Sequence, residues 1–259
     1  AAPALSNLAG TAKLQKSESN GLLTIDGEGF KAVFDTKEGT LHKLTYGGTD
    51  IITEGNGPKI DAFRAPVDND NWYYKDWVAN GLHKVTDWNS YVRKDGSITL
   101  SFTVESQAPN AAAINGGSSG RYVITEYKDR PCAFKFTSSQ IWTVYPDGSV
   151  ELRSSIAPSN TKLLLGRLGY SMEVPAGLNR YTYYGRGPVN NYNDRKTSQF
   201  IGLYSHKVGE GEIILPKPQA MGNREEVRWC SLTDGSGNGA VFVAAGQMSA
   251  SALLWSQLD

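Results

Sequence analysis

Apolar residues recur at every second position along most of this 259-residue chain. Successive side chains of a β-strand point to opposite faces, so this spacing fits half-buried strands and misses the 3.6-residue period of a helix. Residues 21–26 (GLLTID) and 31–35 (KAVFD) read as strands. The turn 36–40 (TKEGT) leads into a strand at 41–46, and Gly47-Gly48 turns into another at 49–53. The same pattern places strands at 97–105, 121–127, 133–145, 150–156, 163–168, 170–174, 180–184 and 239–244. Pro146-Asp147-Gly148 makes the turn between 133–145 and 150–156. Only 74–79 and the segment 248–259 read as helices, both short. Residues 110–120 (NAAAINGGSSG) are small and Gly/Ser-rich, which predicts a mobile loop. The expected class is all-β, a large antiparallel β-sandwich with a few short helices. Its strands are too many for one small immunoglobulin-like domain. Residues 1–20 read as a leader or linker and 21–259 as one domain, because strand patterning is alike on both sides of 110–120.

Charge and cysteine usage narrow the function classes. Lys plus Arg is 26 and Asp plus Glu is 26, so no net field favours nucleic acid or an anionic membrane as partner. No run approaches the roughly 20 apolar residues that span a bilayer, and residues 1–10 lack the basic start of a signal peptide. Cys132 and Cys230 match no zinc or redox spacing and read as buried free thiols in strands. The three histidines, His42, His83 and His206, are scattered, and no G-x-S-x-G elbow is present. Compartment stays open between cytoplasm and periplasm.

Three segments are denser in Gly, Pro, Asn, Asp and Arg than their surroundings. The first is FRAPVDND, residues 63–70. Arg64 and Ala65 precede a proline, which holds the chain extended. Asp68, Asn69 and Asp70 then offer side-chain acceptors for a turn or a helix cap. On chemistry alone a cap before 74–79 outweighs a sugar or metal site. The second is YYGRGPVNNYNDR, residues 183–195, where Gly185 and Gly187 bracket Arg186, with Asn191, Asp194 and Arg195 beyond. A structural turn stitched by Asn and Arg is the favoured reading, since no strand–helix unit follows to make a nucleotide site. The third is PKPQAMGNREEVRW, residues 216–229, in which Asn223 and Arg224 precede a strand at 227–232.

In this order and spacing the three segments resemble the C-terminal domain of glycoside hydrolase family two β-galactosidases. That family shows R-A-P-x-D-N-D, then G-x-G-P-x-x-N-Y-x-D-R, then P-Q-x-x-G-N-R running to V-R-W. The resemblance covers residues 21–259. It implies a galactose-mutarotase-like supersandwich that packs on a catalytic barrel and helps wall the substrate cleft. The reaction it implies is retaining hydrolysis of β-galactosides by two carboxyl groups about 5–5.5 Å apart. Those carboxyls, and the Mg and Na ions of such enzymes, would lie on the barrel, so no catalytic residue, metal or cofactor is expected in this chain. The expected partners are the barrel, the other domains and a β-galactoside, with oligomerisation possible in the full enzyme.

Two departures stand out. Ala220-Met221 replaces a Glu followed by a small polar residue in many relatives. The chain also stops where relatives continue, so it reads as truncated, with a sheet edge left uncovered. By position, Asn71, Trp72, Tyr73, Tyr74 and Lys75 occupy a loop that flanks the cleft in relatives, and they are the candidate cleft residues. Their rings, with Trp77, also suit a carbohydrate-binding module, because aromatic faces stack on sugar C–H surfaces. An aldose 1-epimerase shares the fold but needs a positioned acid and base, usually His and Glu, and the chain lacks an N-H-x-Y-F-N-L-like segment.

Overall fold

A computed structural model describes residues 13–64, 81–116, 122–162, 165–210, 212 and 220–256. The sequence-predicted helix at 74–79 lies outside them. All strand pairings are antiparallel. The described residues divide into two compact units, one drawn from 13–174 and the other from 175–256.

The first unit is a sandwich of two sheets. The five-stranded sheet runs in sequence order through β1 (Gln15–Ser19), β2 (Leu22–Gly27), β3 (Phe30–Asp35), β4 (Thr40–Tyr46) and β5 (Thr49–Asp50). Leu23, Ile25, Ala32, Phe34, Leu41 and Leu44 alternate onto its buried face, as period two requires. The turn between β3 and β4 is set by Asp35, whose Oδ1 accepts from Lys37 N at 2.7 Å and Glu38 N at 3.0 Å. Gly39 closes it at φ 71°, where a Cβ would meet Val104 Cγ2 at 2.5 Å. The opposing sheet has the order β12 (Val150–Pro158), β11 (Lys135–Val144), β8 (Ile98–Gln107), β7 (Leu82–Val92). It contributes Ile98, Leu100, Phe102, Val104 and Trp142 to the core, and Trp142 meets Phe34 edge-on at 5.5 Å between ring centres. Two small pairings complete the unit, β6 (Lys59–Asp61) with β13 (Gly169–Ser171) and β9 (Ala111–Gly116) with β10 (Tyr122–Tyr127).

The second unit is built on one four-stranded sheet. Its order is β15 (Phe200–Lys207), β14 (Arg180–Gly187), β16 (Arg224–Thr233), β17 (Gly239–Ala250). One face packs Tyr181, Tyr183, Val227 and Cys230 with Tyr204, Leu232, Phe242 and Met248.

Several expectations are corrected by these elements. Residues 248–256 form no helix: Met248 pairs with Val227 and Ala250 with Arg224, so β17 continues along β16. The pairing of a whole edge overrides the helix preference of the Ala-rich segment. More generally, no helix occurs among the described residues, where a few short ones were expected. Residues 110–120 are not simply a loop, because β9 occupies Ala111–Gly116 in register with the β-branched and aromatic β10. No strand forms at 165–168, and 163–164 lie outside the described residues. Cys230 sits in β16, whereas Cys132 is buried in irregular chain ahead of β11, where its thiol donates to Phe134 O at 3.4 Å. Among the described residues no helix is long and apolar enough to cross a membrane.

His83, on β7, gives this unit a pH dependence. Its Nδ1 lies 2.8 Å from Ser106 Oγ, a fully buried hydroxyl. Burial, with Lys59 adding to it against Glu38, pushes the imidazole down to about 4. The neutral form therefore belongs to the folded state. Its stabilisation is present above the unfolded pKa of about 6.5 and is lost as pH falls toward 4. Denaturant unfolding should lose about 2 kcal/mol between pH 7 and pH 4.5 through this group. His83→Gln should remove that increment, and an unchanged pH slope in the variant would assign the loss to other groups.

Candidate functional site

Of the FRAPVDND segment, Phe63 and Arg64 are described; Asp68, Asn69 and Asp70 lie outside the described residues, as do Asn71, Trp72, Tyr73, Tyr74 and Lys75. Phe63 is fully buried among Ile60, Ala62, Cys132, Phe134 and Phe136. Its amide donates to Asp61 Oδ1 at 2.9 Å, and the other oxygen of this buried carboxylate pairs with Arg167. Arg64 is half-buried. Here the motif anchors its entry point to the first unit's core.

The second and third segments meet within the other unit, and Asn191 joins them. This side chain is fully buried. Its Nδ2 donates to the carbonyls of Arg186 at 3.0 Å and Val189 at 2.9 Å, and its Oδ1 accepts from Glu225 N at 3.0 Å. Asn191 N donates to Asn223 O, while Asn223 Nδ2 donates back to Asn191 O at 2.8 Å and to Glu225 Oε1 at 2.8 Å. Ser249 on β17 donates to the same Glu225 oxygen. Every polar group of the Asn191 amide is spent on protein, so its chemistry is positioning. Tyr192 extends the stitch by donating to Ala220 O at 2.8 Å. Asp194 is exposed in a turn closed by bonds between Tyr192 and Arg195, and the Arg195 guanidinium lies 5.5 Å from the Tyr192 ring centre.

The glycines of this region answer to close approach. A Cβ on Gly187 would fall 2.3 Å from the Tyr183 hydroxyl, and one on Gly185 2.9 Å from Val227 Cα. The Gly187-Pro188 bond is cis. Between them Arg186 points to the opposite face. Its Nε lies 2.9 Å from Glu226 Oε1, without hydrogen-bond alignment, and Lys196 Nζ is 3.2 Å from the same oxygen. The Arg186 guanidinium beside it, with Lys196 helping, holds the Glu226 carboxyl below the usual range. Glu226 adopts φ 54°, a left-handed conformation uncommon for a side-chain-bearing residue, within the irregular pairing of β16 and β17. Nothing in the one-dimensional pattern signals it.

Beneath the stitch lies Arg224, 1% exposed. Its Nε donates to Tyr183 Oη at 2.9 Å and its Nη1 to Gly222 O at 3.0 Å and Asn223 O at 3.2 Å. Tyr181 stacks on Tyr183 at 5.2 Å, and His206 meets Tyr181 edge-on at 5.4 Å. The Tyr181 hydroxyl has no oxygen or nitrogen partner and faces the Cys230 thiol, which burial pushes up to about 11. Glu212 Oε1 is 4.0 Å from His206 Nε2. Burial and then Arg224 lower the His206 pKa. His206 reads as isolated in the sequence, and its meeting with Tyr181 and Tyr183 depends on cross-strand register.

This arrangement binds segments of the chain together. Each carboxyl that clearly departs from its ordinary value among the described residues, Glu54, Asp95, Glu226 and Asp234, is shifted down. No cluster of three or more His, Cys, Asp or Glu able to hold a metal ion occurs among the described residues.

Comparison with known proteins gives relatives along most of the chain. A β-galactosidase of Priestia megaterium is 28% identical over 246 residues, covering 92% of this chain and 21% of that protein. Those of Halalkalibacterium halodurans and Lactobacillus delbrueckii are 26% and 27% identical, each covering 90% of this chain and 21% of its own length. The chain thus spans about one fifth of the relatives it matches. Residues 26–259 match the sequence profile described as beta galactosidase small chain, and the chain belongs to that family.

Proposed function

We propose that this chain is the non-catalytic C-terminal domain of a retaining β-galactosidase, packed on a catalytic barrel and helping to shape the cleft that receives a terminal β-D-galactoside. The observation that carries the reading is the family match from residue 26 to 259 combined with coverage of one fifth of each relative. The spent hydrogen-bonding capacity of Asn191 and the lowered carboxyls support a positioning role for the chain's motifs. On this reading the catalytic carboxyl pair, and the Mg and Na ions implied by the resemblance, belong to the barrel. The cleft-flanking assignment of Asn71, Trp72, Tyr73, Tyr74 and Lys75 belongs to the same proposal.

Stereochemistry tests it. The full-length enzyme acting on an aryl β-galactoside should release β-galactose first, seen by proton NMR before mutarotation, because a double displacement retains configuration. First release of α-galactose, or no β-galactoside turnover, would overturn the reading.

A further inference from the structure

The sheet of the second unit has a used face and an unused one. The used face buries Tyr181, Tyr183, Val227 and Cys230. On the other, strand register aligns Leu203, Tyr184, Trp229 and Val243 in one row across all four strands. With neighbouring strands about 4.8 Å apart, that row is roughly 15 Å wide. Val241 and Ile201 extend it on either side. Leu203 is 64% exposed, Val241 54% and Val243 42%. Contiguous exposed apolar groups of this kind mark an interaction surface.

Charge says what the surface fits. The next row but one sets Lys207 directly opposite Arg180. Both are exposed, and neither forms an ion pair among the described residues. Like charges facing across a strand pair are unfavourable, so this border suits carboxylates from outside. Arg228 sits 5.7 Å from the Tyr184 ring centre at the patch itself. Glu226 is already engaged by Arg186 and Lys196. A second copy of this chain would bring the same opposed cations, Arg180 and Lys207, to the border, a poor match for a two-fold interface, in which each patch must complement itself.

Four fifths of each relative lies outside the region this chain matches. We infer that this face of the β15-β14-β16-β17 sheet is the docking surface for the remainder of the enzyme, through an apolar patch bordered by carboxylates opposite Arg180 and Lys207. The inference rests on the functional reading above and adds which face is used and what chemistry it meets.

Thiol labelling of the full-length enzyme tests it. Leu203→Cys and Val243→Cys are compared with Ser236→Cys, an exposed position in the 234–238 turn away from the patch. Cys132 and Cys230, both buried, give a low background. Leu203→Cys and Val243→Cys should react with a maleimide at least tenfold more slowly than Ser236→Cys, equally at protein concentrations a hundredfold apart. Unfolding in denaturant should bring all three to the same rate, which excludes an intrinsically slow thiol. Labelling as fast as at Ser236→Cys would overturn the inference. So would protection that disappears on dilution, since that is the signature of a second copy. β-Galactoside turnover in the same preparation reports on the functional reading separately: protection without turnover would sink that reading and leave the docking surface standing.

Discussion

Replacing Arg224 with Met is expected to cost at least 3 kcal/mol of unfolding free energy in urea denaturation. Arg224 is fully buried and donates to the Tyr183 hydroxyl and to the carbonyls of Gly222 and Asn223. Met fills the volume but leaves those acceptors facing apolar atoms, and an unsatisfied buried group costs about 1–3 kcal/mol. Breaking a buried charged network typically costs about 3–5 kcal/mol. Arg224→Lys should recover little, because one ammonium cannot reproduce the planar fork. Some buried ionic groups are replaced by apolar ones at no loss. A loss under about 1 kcal/mol would show that packing alone holds this position.

The second large effect is expected at Asn191. Asn191→Ala removes two donors from Arg186 O and Val189 O and one acceptor from Glu225 N. Three orphaned backbone groups in a fully buried site should cost about 3–5 kcal/mol. Asn191→Asp should be at least as damaging, since it keeps the shape but turns an oxygen toward two carbonyl oxygens. The two variants distinguish hydrogen bonding from volume: if Asp is tolerated and Ala is not, Asn191 acts by filling space. Because Asn191 and Arg224 share Asn223, their effects should not add, and a double-variant cycle should show coupling.

The sequence carried the strand grammar well where one face of a strand is buried. β2 and β14 alternate along their length and β8 does so from Leu100 onward, and their inward residues form the core. β7 and β15 escaped notice for a physical reason. β7 is an edge strand with a bulge between Val85 and Asp87, and most of its residues are exposed, so alternation carries little contrast. β15 places apolar residues on the outward face, Leu203 among them, which blurs the pattern in the same way. β9 and the extension of β17 draw Ala-rich sequence into sheets through pairing partners that are remote in the pattern or lie across a turn.

The candidate site was legible as three segments and not as one arrangement. Asn191, Asn223 and Arg224 were singled out individually, and the structure brings them together through bonds that only the register of β14 and β16 creates. Gly185 and Gly187 read as turn residues around Arg186, whereas both lie within β14, where Val227 and Tyr183 approach their backbone closely. Glu226 could not be found, since a left-handed backbone at a glutamate has no marker in composition or spacing.

The measurement that tests the central claim most directly is hydrolysis of a chromogenic β-galactoside by this 259-residue chain and by the full-length enzyme, assayed side by side. The account predicts turnover by the full-length enzyme and none above background by the chain alone. Turnover that stays with the chain through successive purification steps would contradict it, and would place a catalytic carboxyl pair within these residues.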